Sequence, residues 1–216
     1  MKLIGMLDSP YVRRVAISLQ LLGIRFEHQS LSVFGGFDEF QRINPLVKAP
    51  TLSCDDGDVL IDSTLILQYA EAIAGFGRSL MPTDTDELRH SLRLIGLALA
   101  ACEKSVQIVY ERKLRPTEKQ YAPWVERVTG QLLAAYDALE SAFGDQAQAV
   151  AGKTIDQAGI TTAVAWKFTQ EMLPEIVPAA SYPSLQGFSE AAELLPEFVA
   201  APFGAATYRQ GNGLST

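Results

Sequence analysis

The stretch "NPLVKAPTLSCDDGDVLIDS", residues 44–63, decides how the first part of this chain folds. Two β-prone pieces, Thr51–Cys54 and Val59–Ile61, flank Asp55-Asp56-Gly57-Asp58. An Asp/Gly turn between short β-prone runs is a hairpin signal. Pro50 enters the first piece, where its missing N–H belongs, at a strand's first residue or edge. Asp62-Ser63 closes the hairpin and opens "TLILQYAEAIAG", an apolar helical run ended by Gly75. Upstream, "KLIGM" reads as a first strand and "RFEHQSL", residues 25–31, as a second. Between them residues 10–22 read as a helix, with Val12, Val15, Ala16, Leu19 and Leu22 at helical spacing and Gly23 as its stop. Gly35-Gly36 breaks the chain, and "FDEFQRI" makes a short helix or turn. The order is βαβ, an irregular α, a hairpin and a last helix.

Downstream the pattern changes. Residues 77–87, "GRSLMPTDTDE", read as a linker, and everything after them as helix. Leu88, Leu92, Ile95, Leu99, Cys102, Val106 and Val109 form a long amphipathic stripe that Pro116 ends. Val125, Val128, Leu132, Tyr136, Leu139 and Phe143 mark a second long helix. A third spans about 156–172, and one more about 184–195. The tail "TYRQGNGLST" is polar and reads as loose. The expected architecture is α/β plus all-α: a domain over 1–76, a linker over 77–87 and an all-helical domain over 88–216.

Composition narrows the function classes. The 216 residues carry a net charge of −7 and no basic block, which argues against nucleic acid. No apolar run reaches the ~18 residues that span a membrane, and the N-terminus does not read as a signal peptide. Cys54, Cys102, His28 and His90 offer no zinc spacing and no CxxC pair, so no metal is expected. Both cysteines read as reduced and buried, in a cytoplasmic protein.

Three local features could carry chemistry. Ser9-Pro10 follows the first strand; serine is a good N-cap and proline a good first helical residue. A hydroxyl at the positive end of a helix is also placed to hold an anion. Ala49-Pro50 is either an ordinary trans strand start or a cis bond that exposes the Ala49 backbone to an extended peptide. Ser63 reads as the N-cap of the third helix, and its hydroxyl and neighbouring amides could take a carboxylate. Asp62 beside it could accept from an ammonium group. Together the pair would suit an amino acid head group.

"SPYVRRVAISL", "INPLVKAPTL" and "LIDSTLILQYAE" resemble, in order and spacing, the thioredoxin-like N-terminal domain of the glutathione S-transferase family. The helical second half agrees with that family's C-terminal domain. The resemblance implies a serine-type site in which Ser9 donates to the sulfur of glutathione, so that the sulfur and not the serine is the nucleophile. It further implies that Ala49, ahead of a cis-Pro50, pairs with the cysteinyl backbone and that Asp62 and Ser63 hold the γ-glutamyl end. Lys48 is either a solvated lysine or, by its charge alone, a group that could reach the glycyl carboxylate. A second, apolar electrophilic substrate is expected between the domains, against candidates Leu7, Tyr11, Phe34, Tyr110 and Trp166. A homodimer is expected, as in the family.

The implied activity is a glutathione transferase. A glutathione-dependent isomerase, dehalogenase, lyase or peroxide/disulfide reductase would start from the same thiolate. A non-catalytic glutathione-binding or protein-interaction member is the reading of another class. One departure concerns the third helix of the second half. "TIDQAGITTAV" offers Asp156 as N-cap but Gly159 where the family's capping box has an acidic residue, while Ile155 and Ile160 keep the spacing of a hydrophobic staple. On capping logic alone, aspartate at 159 should raise the melting temperature.

Overall fold

The computed structural model describes residues 1–75, 77–144 and 155–208. The boundary expected at Phe76 and the last eight residues of the polar tail therefore lie outside the described residues. The chain divides into two compact units, Met1–Leu80 with the chain from Leu194 onward, and Met81–Glu193.

In the first unit β1 (Lys2–Ile4), β2 (Glu27–Gln29), β3 (Thr51–Ser53) and β4 (Val59–Leu60) form one sheet in the order β2-β1-β3-β4. β1 runs parallel to β2, with Leu3 opposite His28, and antiparallel to β3, with Leu3 opposite Leu52. The hairpin forms as its Asp/Gly turn dictates, with Leu52 opposite Leu60. Helices α1 (Pro10–Leu21) and α3 (Ser63–Ile73) pack against each other. Their apolar faces, Val12, Val15, Ala16 and Leu19 on one and Ile66, Leu67 and Ala70 on the other, join Leu3, Ile4 and Leu52 in the core. Gly23 ends α1 in the left-handed region at φ +70°, where an L-residue is strained. The short α2 is Phe37–Ile43.

The expected assignment of everything past 88 to a helical domain is corrected at its end. A short α8 (Pro196–Ala200), preceded by Leu195, returns to the first unit and packs on α1. The buried Arg13 donates from Nε to the Ala201 carbonyl at 2.8 Å, and its guanidinium lies 5.6 Å from the centre of the Phe198 ring. Gln20 Nε2 donates to the Glu197 carbonyl at 3.0 Å. Further on, Ser30 Oγ donates to the Ala205 carbonyl, the Tyr208 amide donates to His28 Nδ1 at 3.0 Å, and Tyr208 stacks on Phe26. The run from Pro196 is five residues long and carries no repeating apolar period, so helical patterning could not reveal it.

The second unit contains α4 (Thr85–Lys113), α5 (Ala122–Phe143), α6 (Gln157–Met172) and α7 (Pro183–Glu193). α4 begins inside the expected linker, because Asp84 caps it by accepting from the Asp86 and Glu87 amides. Its buried face is rotated from the expected stripe. Ile95, Cys102 and Val109 are buried, but so are Ser91, Ala98, Ala101 and Ser105, whereas Leu92 is exposed and Leu88, Leu99 and Val106 are half-buried. α4 packs closely on α5 and α6, and small side chains permit that approach where leucines would not. α6 is buried almost all round. Its Thr169 joins a polar cluster: the Tyr136 hydroxyl donates to Thr169 Oγ1 at 2.6 Å, and Ser105 Oγ lies 2.8 Å from the same oxygen. Burial pushes the Tyr136 phenol well up. The Glu140 carboxylate accepts from the Ser184 and Leu185 amides and so caps α7 from a neighbouring helix.

Asp156 caps α6, accepting from the Gly159 amide at 2.8 Å. The expected benefit of a side chain at 159 is overturned by packing. A Cβ there would lie 2.8 Å from Ile155 Cγ1 and 3.1 Å from Phe188 Cζ. The staple residue and a core ring occupy the space the capping box would need. Cys54 is also corrected: it is half-exposed at the hairpin turn, whereas Cys102 is buried. No described helix is long and apolar enough to cross a membrane, and no group of three His, Cys, Asp or Glu among the described residues could hold a metal ion.

Candidate active site

The turn between β1 and α1 is built on Gly5. Its φ is +135°, and a Cβ there would meet Val12 Cγ2 at 2.6 Å and Ala49 Cβ at 3.0 Å. Only a glycine lets the end of β1 pass between the first turn of α1 and the Ala49 loop. This contact brings the Ser9 turn and the Ala49-Pro50 segment together. Nothing in the periodic pattern singled Gly5 out; a glycine interrupting a strand-like run was the available signal.

Ser9 is the N-cap of α1, with extended φ and ψ. The Ser9 amide donates to the Met6 carbonyl at 3.1 Å, and Ser9 Oγ accepts from the Val12 amide at 3.5 Å, the long end of the hydrogen-bond range. A hydroxyl has one proton and two acceptor sites, so capping occupies a lone pair and leaves the proton free to donate. Asp8, half-buried beside it, was not among the sequence candidates. Burial raises its carboxyl above the ordinary range, and the Ser9 backbone N–H offsets part of that.

The Ala49 loop is held from beneath. Asn44 and Thr51 are both buried. Asn44 Nδ2 donates to Thr51 Oγ1 at 2.9 Å, and Asn44 Oδ1 accepts from the Leu46 amide at 3.0 Å. Thr51 Oγ1 donates to the Lys48 carbonyl at 2.7 Å. This network fixes Val47 at φ +47°, a strained conformation for a β-branched residue. The Ala49–Pro50 peptide bond is cis. Pro50 is buried, Ala49 half-buried and Lys48 exposed.

At the third helix the expected cap is corrected. Asp62, not Ser63, is the N-cap of α3: its Oδ1 accepts from the Thr64 amide at 2.8 Å and the Leu65 amide at 3.3 Å. Ser63 is the first helical residue and is buried. Arg14 of α1 donates from Nη1 to Ser63 Oγ at 3.2 Å. Gly5 and Arg14 thus tie the three segments carrying Ser9, Ala49-Pro50 and Asp62-Ser63 around the first turns of α1.

The candidate apolar wall does not hold as a set. Leu7 is fully buried in the first unit's core. Trp166 is buried in the second unit, edge-on to Tyr136 and Tyr182, with its indole N–H donating to Gln186 Oε1 at 2.9 Å. Both are core residues. Tyr11 is half-buried in the first turn of α1, Phe34 is exposed, and Tyr110 is exposed on α4. Phe34 lines a shallow open depression with Phe37, Asp38, Glu39 and Arg42.

Residues 3–79 match the model of the glutathione S-transferase N-terminal domain. The chain carries a glutathione S-transferase N-terminal domain over those residues. It is 28% identical over 145 residues, 67% of this chain and 71% of the relative, to the uncharacterised GST-like protein YibF of Escherichia coli (strain K12). A glutathione transferase family member of Pseudomonas fluorescens Pf-5, solved with bound glutathione, is 27% identical with a TM-score of 0.79, over 93% of this chain and 97% of that one. A glutathione S-transferase of Methylobacterium radiotolerans JCM 2831, solved with glutathione sulfonate, is 25% identical with a TM-score of 0.83, over 100% and 98%. The unit that carries this domain match also holds all six residues expected to serve glutathione: Ser9, Lys48, Ala49, Pro50, Asp62 and Ser63.

Proposed function

We propose that this chain is a glutathione S-transferase family member that binds glutathione on its first unit and uses the bound sulfur as a nucleophile toward an electrophilic small molecule. The observation that carries this reading is the Ser9 hydroxyl, seated at the N-terminus of α1 with its proton not needed for capping. The bound glutathione of the Pseudomonas fluorescens relative supports the choice of thiol. A free thiol titrates near 8.5. Hydrogen-bond donation from Ser9 and the positive helix end both favour the thiolate, and a shift of roughly two pH units would make it the main form at neutral pH. The thiolate then forms a C–S bond, and the leaving group departs with its electron pair while the thiol proton passes to solvent.

In this reading the Ala49 backbone, ahead of Pro50, pairs with the cysteinyl residue. Asp62 and Ser63 take the γ-glutamyl end, and the exposed Lys48 reaches for the glycyl carboxylate. Tyr11 and Phe34 serve the apolar electrophile. Unlike Leu7 and Trp166, both have surface to offer. We place the protein in the cytoplasm as a homodimer. Support for the dimer comes from Leu65, Tyr69 and Ile73, which expose one apolar stripe along α3. Sedimentation of a Tyr69→Glu variant as monomer would agree with it.

The deciding experiment is calorimetric binding of glutathione, followed by turnover of an aryl halide by wild type and Ser9→Ala. Ser9→Ala should lower kcat/KM by up to about 25-fold at neutral pH, the full loss of a two-unit shift, and move the activity profile toward the free-thiol range. Equal activity would remove Ser9 from the chemistry. Binding with no turnover across several electrophile classes would favour the non-catalytic reading.

A further inference from the structure

Arg14 is a buried cation that joins two helices of the first unit. It lies on α1, is 2% exposed, and donates from Nη1 to Ser63 Oγ at 3.2 Å and to Thr64 Oγ1 at 3.5 Å. Both acceptors belong to the first turn of α3. A guanidinium has only donors and stays charged at any relevant pH. Burying that charge costs several kcal/mol, and apolar side chains could join two packed helices without the cost. The contact also has a direction. When Ser63 Oγ accepts from the cation, the Ser63 proton is turned away from Arg14, and a polarised hydroxyl is a better donor. A positive charge now stands behind a helix N-terminus that already carries partial positive charge.

We propose that Arg14 is a positioning residue for the γ-glutamyl α-carboxylate of glutathione: it aims the Ser63 hydroxyl at that carboxylate and backs the first turn of α3 with a buried cation. This rests on the function proposed above. It adds that recognition of the head group is governed from α1, by a residue that does not itself need to touch the ligand. It also separates two tasks on one helix. Ser9, at the start of α1, acts on the sulfur; Arg14, further along, acts on the carboxylate.

The test is calorimetric and needs no turnover. Wild type, Arg14→Met and Arg14→Lys are titrated with glutathione and with an analogue carrying 4-aminobutyryl in place of γ-glutamyl, which keeps the amine and lacks the α-carboxylate. Arg14→Met should weaken glutathione binding about tenfold or more, as expected for loss of a charge-assisted contact, and leave the analogue's affinity within about twofold. Arg14→Lys should recover part of the loss. In turnover the change should fall on KM for glutathione, with the pH midpoint of kcat unmoved. Equal loss for both ligands, or no loss for either, would overturn the role of Arg14 while leaving glutathione binding intact. A wild-type chain that binds neither ligand would overturn both readings. Should Arg14→Met fail to fold, Arg14→Lys against wild type carries the test: a loss on glutathione that exceeds the loss on the analogue supports the proposal, and an equal loss on both ligands, or none on either, refutes it.

Discussion

At the scale of single residues, Gly159 shows how a local rule is defeated by its surroundings. Capping logic values a carboxylate at the third helical position at roughly 1 kcal/mol. The site cannot accept one, because Ile155 Cγ1 and Phe188 Cζ stand 2.8 and 3.1 Å from where its Cβ would be. Overpacking of this kind costs about 1–3 kcal/mol, so the net sign reverses. Gly159→Asp is therefore expected to lower the melting temperature by a few degrees in a thermal scan; a rise would show that Ile155 and Phe188 yield freely. The N-cap itself was legible, since Asp156 behaves as its residue type dictates. The occupied space was not, because Phe188 comes from α7, nearly thirty positions away in the sequence. Ser63 was misjudged for a related reason. Asp and Ser are both good caps, and only the backbone decides which of two neighbours stands just outside the helix.

Among the elements, β2 is one of the two edge strands of the sheet, and an edge needs covering. Here the segment around Tyr208 covers it through His28. The Tyr208 amide donates to Nδ1, so the proton must sit on Nε2, which donates to the Gly5 carbonyl at 2.8 Å. The imidazole thus joins the C-terminal segment to the turn that leads to Ser9. Burial lowers the His28 pKa below its ordinary value, with the Gly5 carbonyl opposing. The charged groups at the neighbouring positions are Lys2 and Glu27, paired with each other at 3.6 Å. A depressed histidine means that the unfolded chain binds the proton more readily. The contribution of His28 is complete above about pH 6.5 and declines as pH falls from there toward the lower folded value. An imidazolium also has no lone pair for the Tyr208 amide. The protection factor of that amide against hydrogen exchange should drop between pH 7.5 and 5.5 in wild type, and His28→Phe should abolish the pH dependence. Constant wild-type protection would show that Nδ1 does not hold the segment. The strands of the first unit and its helices α1–α3 could be read in the sequence, because turns, caps and apolar period agree there. The covering of β2 could not, since its contacts join residues about 180 positions apart by backbone groups that every residue type shares.

For the whole molecule, the instructive error is the assumption that domains are consecutive. The composition shift near residue 77 marks a real change, but the first unit is finished by chain that arrives after Leu194. Nothing local announces this return. Arg13 and Arg14 look like solvated charges in "YVRRVAI", yet both are buried, one serving α8 and the other α3. With both buried, α1 keeps almost no face toward solvent, as a helix packed on two sides requires. The consequence is measurable. Ending the chain after Glu193 would strip Arg13 of the Ala201 carbonyl and the Phe198 ring while leaving its charge on a buried face. A hydrogen bond from a charged donor contributes about 1.5–3 kcal/mol, and burial of a phenylalanine a similar amount. A loss of about 4 kcal/mol is a large share of the 5–15 kcal/mol typical of a domain. The truncated chain is therefore expected to lose hydrogen-exchange protection in α1 and the sheet first, with α4–α7 retaining theirs. Phe198→Asp in the full-length chain should reproduce the loss in milder form, by placing an acid in a core position. If α1 keeps wild-type protection in both variants, the C-terminal return is a passive covering, and the first unit's stability must reside in the α1–α3 packing and the sheet alone.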